Sequence, residues 1–276
     1  MLTIDAHQHF WKYHPDMHAW IDDSMKVIRQ DFMPGDLQPV LLENNINGCI
    51  TVQAVQTETE TSFLVACANE NKFIKGVVGW VDLRAKNISD RLTYYKQFPI
   101  VKGFRHILQG QPKGFILQDD FLNGIRSLSD FGFTYDLLVY PGQLLEAVEL
   151  VQQNPNQLFV IDHLAKPYIK VGLIDEWKKD MQVIAQYENV YCKISGMVTE
   201  ADYENWKLEE LTPYLEVVAN AFGTGRIMYG SDWPVCLVAA SYKRTIEIVK
   251  DYFKSFSQEE QEKIVGLNAM KFYQVK

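Results

Sequence analysis

A short run of apolar, β-branched residues followed by an amphipathic stretch recurs along this chain, and no other feature restricts its fold as strongly. The runs are LTIDA (2–6), NGCITVQA (47–54), IKGVVGWVD (74–82), VKGFRHI (101–107), TYDLLVY (134–140), LFVIDHL (158–164), NVYCKISG (189–196) and RIMYGSD (226–232). Between them lie stretches such as TETSFLVACANE, DDFLNGIRSLSDF, GQLLEAVELVQQN and LIDEWKKDMQVIAQYE. The last has Leu173, Ile174, Trp177, Met181 and Ile184 at helical spacing. Asp119 and Asp175 fall in predicted first helical turns, where a carboxylate suits the helix dipole. Strands that alternate with helices pair in parallel through right-handed crossovers. Eight such units in about 250 residues is the arithmetic of a (β/α)8 barrel. The alternative, a doubly wound open sheet, usually wants a glycine-rich phosphate turn after the first strand, and here that position reads HQHFW.

The expectation is therefore an α/β protein, a (β/α)8 TIM barrel forming one domain over residues 1–276. Its spacing is uneven in one place, which leaves room for distortion. The first strand ends near residue 9 and the second begins near residue 47. The gap holds a predicted helix from Pro34 to Asn45 and, before it, a segment from Phe10 to Met33. That segment contains Trp11, Tyr13, His14, His18, Trp20 and Arg29. A long aromatic-rich loop at this end of a barrel is either a lid or rim packing.

Composition narrows the function classes. The net charge of −8 argues against a nucleic-acid partner, since phosphate binding needs a basic surface. No apolar run approaches a membrane span, and the N-terminus lacks the basic and apolar regions of a secretory signal. Cys49, Cys67, Cys192 and Cys236 have no CxxC spacing, which excludes a zinc finger and suggests reduced core thiols in a cytoplasmic protein. A homo-oligomer is compatible with this composition.

Chemistry in such a barrel gathers where the strands end. Those ends hold His7 and His9, then Gln53, Asp82, Arg105 with His106, His163, Lys193 with Ser195, and Asp232. In a strand, residues i and i+2 point the same way, so His7 and His9 project side by side. Two such imidazoles suit a divalent metal, or a substrate carbonyl that needs two donors. A lone histidine is more often a satisfied core residue. Four of the chain's six histidines converging with an aspartate on one face read instead as a functional cluster. Lys193 and Ser195 either hydrogen-bond within the barrel mouth or satisfy loop carbonyls, and the second reading is favoured.

His-x-His ending the first strand, the DH of VIDHLAKP and the aspartate of GSDWPVC together resemble the amidohydrolase superfamily. More narrowly they resemble its amidohydrolase-related branch, which contains sugar-lactone and pyrone-dicarboxylate lactone hydrolases. QDFMPGDL, TVQAVQTETET, GFRHILQ and CKISGMVTEADY are similar to fuconolactonase-like and rhamnonolactonase-like members. The similarity runs from residue 3 to about 245, and the combination of motifs is specific where each alone is weak.

The resemblance implies that His7, His9 and Asp232 hold the more buried metal of metal-dependent relatives, and that His163 is the histidine of the sixth strand. Two matches fail. A bridging lysine or glutamate is expected after strand four, where Arg105 and His106 stand. A histidine is expected after strand five, where TYDLLVYPG has none. The resemblance thus argues against a binuclear centre. It is equally consistent with one zinc or manganese ion on His7, His9 and Asp232, with His163 or water completing the shell, and with no metal.

The implied reaction is hydrolysis of a sugar lactone, L-fuconolactone or a close six-carbon relative. Asp232 is the expected general base, returning the proton to the ring oxygen. The carbonyl is polarised by His7, His9 and His163 or by the metal. Trp11, Gln53, Arg105, His106, Lys166 and Trp233 are the expected substrate contacts. GxSxG is absent, so a serine nucleophile has no support. The rival readings are a metal-dependent nonoxidative decarboxylase of the same branch and a non-catalytic sugar-acid-binding barrel.

Overall fold

The computed structural model describes residues 2–275. Eight strands form one parallel sheet in sequence order: β1 (Ile4–Gln8), β2 (Gly48–Val52), β3 (Ile74–Gly79), β4 (Val101–Ile107), β5 (Thr134–Leu138), β6 (Phe159–Ile161), β7 (Val190–Ile194) and β8 (Ile227–Tyr229). Each is followed by a helix: α1 (Pro34–Glu43), α2 (Glu58–Glu70), α3 (Ile88–Tyr95), α4 (Asp119–Phe131), α5 (Leu144–Gln153), α6 (Asp175–Ile184), α7 (Leu208–Phe222) and α8 (Tyr242–Phe253). Two short helices, α9 (Gln258–Glu262) and α10 (Asn268–Phe272), are joined by a π-helical turn over Lys263–Leu267. This is the expected (β/α)8 barrel. Asp119 and Asp175 lie in the first turns of α4 and α6.

The barrel closes just beyond β8. The Asp232 N–H donates to the His7 carbonyl at 2.8 Å, and the His9 N–H to the Trp233 carbonyl at 2.7 Å. Its lumen is layered, as alternation dictates. The lower layer is apolar: Ile4, Ala6, Ile50, Val52, Val78, Val160, Tyr191 and Met228, plugged from below by Phe272 and Tyr273. Two residues further along β6 and β7, the same phase carries Asp162 and Lys193 inward. A second and larger apolar layer fills the space between sheet and helices.

β1 departs from strict alternation. Ile4 and Ala6 belong to the inner layer, while Asp5 points out and accepts from Tyr242 of α8 at 3.0 Å. Unbroken alternation would then turn His7 and His9 outward. The pairing shifts between Asp5 and Gln8, with Asp5 opposite Cys49 and Gln8 opposite Thr51. That bulge inserts one residue and re-aims both histidines into the barrel.

The segment 10–33 is packed rim rather than loose loop. Trp11 and Phe32 exchange backbone hydrogen bonds at 3.0 and 2.9 Å, and Phe10, Trp11, Ile21, Ile28 and Phe32 are buried. Below, Gly266 in the π turn presses on the start of β1: a Cβ there would lie 2.0 Å from the Leu2 carbonyl oxygen. Gly266→Ala is expected to overpack this end of the barrel by about 1–3 kcal/mol. Thermal unfolding followed by circular dichroism should show a loss of several degrees; an unchanged midpoint would mean that this contact yields freely.

Candidate active site

The site is built on a buried ammonium. Lys193 is inaccessible to solvent, and its Nζ has three partners from three other strand ends. They are Asp136 Oδ2 at 2.5 Å, Asp162 Oδ1 at 3.0 Å and His7 Nδ1 at 3.0 Å. The ammonium is thus buried between two carboxylates and an imidazole, its charge paired rather than solvated. Asp136 also accepts from the Tyr273 hydroxyl at 2.8 and 3.0 Å. Burial pushes its carboxyl up to about 6, against the pull of Lys193. Burial acts on Asp162 in the same sense, but Lys193, His7 and Arg105 outweigh it and hold that carboxyl well below the usual range.

Arg105 is equally committed. Its Nη1 donates to Asp162 Oδ2 at 3.0 Å. Its Nη2 donates to the Gln53 carbonyl and, at 3.0 Å, to Gln53 Oε1.

Above this layer, His7 Nε2 and His9 Nε2 lie 3.2 Å apart. Asp232 Oδ1 is 3.3 Å from His9 Nε2, 3.8 Å from His7 Nε2 and 3.9 Å from His163 Nε2. The Val52 carbonyl accepts from His9 Nδ1 at 2.7 Å, which fixes a proton there and turns Nε2 toward Asp232. His7 Nδ1 meets both a donor, Lys193, and an acceptor, Asp162 Oδ1 at 3.2 Å. Either tautomer of His7 is therefore satisfied. Burial pushes the His7 and His163 imidazoles down, His163 to about 4, so both are neutral at neutral pH. Burial would raise Asp232, but the surrounding imidazoles, His163 foremost, hold it below the usual carboxylate range and ionised.

Backbone conformation places these groups. His163, Leu164, Ala165 and Lys166 all have φ between 50° and 58°, a left-handed turn directly after β6. Each such residue costs about 1–2 kcal/mol relative to the right-handed region. The turn sets the His163 ring against Gly196, where a Cβ would lie 2.7 Å from Nδ1. Nδ1 is 2.8 Å from Ser195 Oγ. Asp232 is left-handed as well, at φ 58°, so its amide joins the seam while its carboxylate faces the lumen.

A cavity of about 390 Å3 opens over this floor. His9, Arg105, His163 and Asp232 line its base; Trp20, Tyr140, Lys166, Glu200 and Tyr203 are among its wall residues. Lys166 Nζ is 2.5 Å from Glu200 Oε1.

The structure brings His7, His9, His163 and Asp232 together, with Arg105 and Lys166 at the same cavity. It places the other expected contacts elsewhere. With Arg105 turned inward, alternation turns its neighbour His106 outward, where the ring packs against Phe115 and Phe121 at 5.4 and 5.7 Å. Gln53 lies behind Arg105 and holds it. Trp11 donates to the Gln30 carbonyl at 2.9 Å and stacks on the rim, 6.2 Å from the His9 ring. Trp233 is wedged between Phe10 and Phe32. Asp82 is exposed and caps Arg84. Lys193 and Ser195 do not serve loop carbonyls; they hold His7 and His163. Asp136, Asp162 and Glu200 escaped the sequence reading, although a charged residue inside TYDLLVY was a visible signal.

A family model described as amidohydrolase matches residues 4–275. The chain belongs to the amidohydrolase family. It is 34% identical over 284 residues to an L-fucono-1,5-lactonase of Burkholderia multivorans, covering 99% of this chain and 96% of that one. It is 25% identical over 286 residues to an L-rhamnono-gamma-lactonase of Scheffersomyces stipitis, covering 93% and 84%. A crystal structure of a Burkholderia multivorans amidohydrolase with bound zinc superposes with a TM-score of 0.96 at 34% identity over the whole of both chains. A 2,6-dihydroxybenzoate decarboxylase shares the fold alone, with a TM-score of 0.69 at 12% identity.

Lys193→Met strands two buried carboxylates and is expected to cost about 3–5 kcal/mol in urea unfolding, part of it recovered by adding Asp136→Asn. A loss below 1 kcal/mol would remove Lys193 from this role. Gly196→Ala should displace the His163 ring and lower kcat/KM by about ten-fold or more with unchanged far-ultraviolet circular dichroism; full activity would show that the ring need not lie against Gly196.

Proposed function

We propose that this protein hydrolyses a neutral sugar lactone, L-fucono-1,5-lactone or a close six-carbon relative, to the sugar acid. One observation carries the reading: the Asp232 carboxylate stands 3.3–3.9 Å from the Nε2 atoms of His7, His9 and His163, at the base of a cavity within the usual size range for small-molecule sites. The lactonase relatives, similar over nearly the full chain, support it. No histidine follows β5, where Val139 and Tyr140 stand, which disfavours the decarboxylase reading.

In this mechanism Asp232 takes a proton from water as the water oxygen bonds to the lactone carbonyl carbon. Ser195 donates to His163 Nδ1, so that His163 Nε2–H points into the cavity and holds the developing oxyanion. As the tetrahedral intermediate collapses, the bond from carbon to ring oxygen breaks. Asp232 returns its proton to that oxygen, leaving a hydroxy acid that ionises in solution. His7 and His9 keep the carboxylate in place, and Lys193 and Asp162 keep His7 in place.

His7 Nε2, His9 Nε2 and Asp232 Oδ1 are buried and lie 3.2–3.8 Å from one another, so these three residues would hold one zinc or manganese ion. Bound there, such an ion would supply Lewis acidity at the lactone carbonyl. The compartment that suits the chain is the reducing cytoplasm. All four cysteines are buried and unpaired, and among the described residues no helix is long and apolar enough to cross a membrane.

Asp232→Asn should reduce kcat by about 100- to 10,000-fold with the fold intact, read as proton release from a panel of sugar lactones. Near-normal turnover would remove Asp232 from the base role. The same assay after exhaustive chelation, with metal content measured in parallel, separates the two ways of polarising the carbonyl. Retained turnover assigns it to the imidazoles, whereas loss restored by zinc or manganese assigns it to a metal on His7, His9 and Asp232.

A further inference from the structure

The charged groups around the cavity are matched unequally. Arg105 is bound to Asp162 and Gln53, and Lys193 lies between Asp136 and Asp162 beneath the floor. Lys166, the remaining cation of the wall, is bound to Glu200. Burial works against the Lys166 charge, but Glu200 outweighs it and lifts the group above its ordinary value. The side chains of this pair are only 21% and 18% exposed, so water screens them weakly. The pair joins two loops. Lys166 ends the left-handed turn after β6, and Glu200 lies in the loop after β7, where its carbonyl accepts from the Lys170 N–H at 3.0 Å.

Without a metal ion, Asp232 has no cation bonded to it, and Lys166, which feels its charge across the cavity, is held by Glu200. Three cations, Arg105, Lys166 and Lys193, face four carboxylates, Asp136, Asp162, Glu200 and Asp232. Glu60 bonds the Ala54 and Val55 amides behind the wall, and burial pushes its carboxyl up to about 7, so it adds little to this count at neutral pH.

We propose that the Lys166–Glu200 pair makes this an anion-excluding site, which admits neutral polyhydroxylated rings, rejects rings bearing a carboxylate or phosphate, and is cleared of its own product by the same unmatched charge. The inference rests on the lactonase reading and deepens it. Opening a neutral lactone creates a carboxylate inside a cavity that already holds Asp232, so the reaction converts a tolerated ligand into a repelled one. An unpaired lysine at position 166 would instead retain the sugar acid. Glu200 removes that attraction while leaving an acceptor and a donor in place for hydroxyls.

The test is calorimetric, on full-length protein stripped of divalent ions, so that the charge measured belongs to the chain. The probes are the sugar acid of the best lactone substrate and the matching lactam, a neutral ring that resists hydrolysis. Wild type should bind the lactam about ten-fold or more tightly than the acid. Glu200→Gln, which leaves Lys166 without a carboxylate, should tighten the acid by about ten-fold while moving the lactam little. Lys166→Met should weaken the acid further. A purely structural role would shift both probes together in both variants.

Equal binding of acid and lactam by wild type, or no tightening of the acid in Glu200→Gln, overturns the proposal. Should Glu200→Gln fail to fold, the comparison in wild type and the direction of the Lys166→Met change decide it alone. Failure of the lactonase reading has a different signature: no lactone is hydrolysed and the lactam does not bind.

Discussion

An ammonium ion in the middle of a barrel is tolerable only when its charge is paired there, and the rest of this site follows from how Lys193 meets that condition. Its three partners come from β1, β5 and the residue after β6, so the strand ends cannot shift independently. Asp162 passes the constraint on, holding Lys193 and His7 with one oxygen and Arg105 with the other. Removing a partner from such a network costs far more than the network contributes as a whole. Its value is placement: it fixes a neutral imidazole where a charged side chain alone would wander.

The backbone makes a second contribution. Two strands end in left-handed residues, His163 to Lys166 after β6 and Asp232 after β8. The turn after β6 breaks the outward-inward alternation at the point where chemistry is needed. The bulge in β1 does the same for His7 and His9. Strain and irregularity thus concentrate at the cavity floor, while the apolar layer beneath keeps regular pairing.

Eight strands and their order could be read from the chain because parallel strands buried on both faces leave continuous apolar runs. The runs overstate β6 and β8, since LFVIDHL and RIMYGSD extend to residues 164 and 232 while the strands end at Ile161 and Tyr229. His7, His9, His163 and Asp232 could be found because polar residues ending apolar runs stand out. Their neighbours could not be sorted. GFRHI does not reveal which of Arg105 and His106 faces inward, because the register shift between β3 and β4 sets that phase. Lys193 was misjudged for a related reason: a lysine ending an apolar run reads as a surface group until three partners from distant strands are seen around it.

The contacts that finish this site bring together parts of the chain that are far apart in sequence. Tyr273 reaches Asp136 from below, and Asp232 and Trp233 join His7 and His9 at the seam. Synthesis delivers the histidine pair first and these partners near the end of the described chain. The histidine pair gains its carboxylate only where the segment after β8 returns to β1, and Asp136 gains its lower wall only from α10. The closing of the barrel is thus also what completes the site.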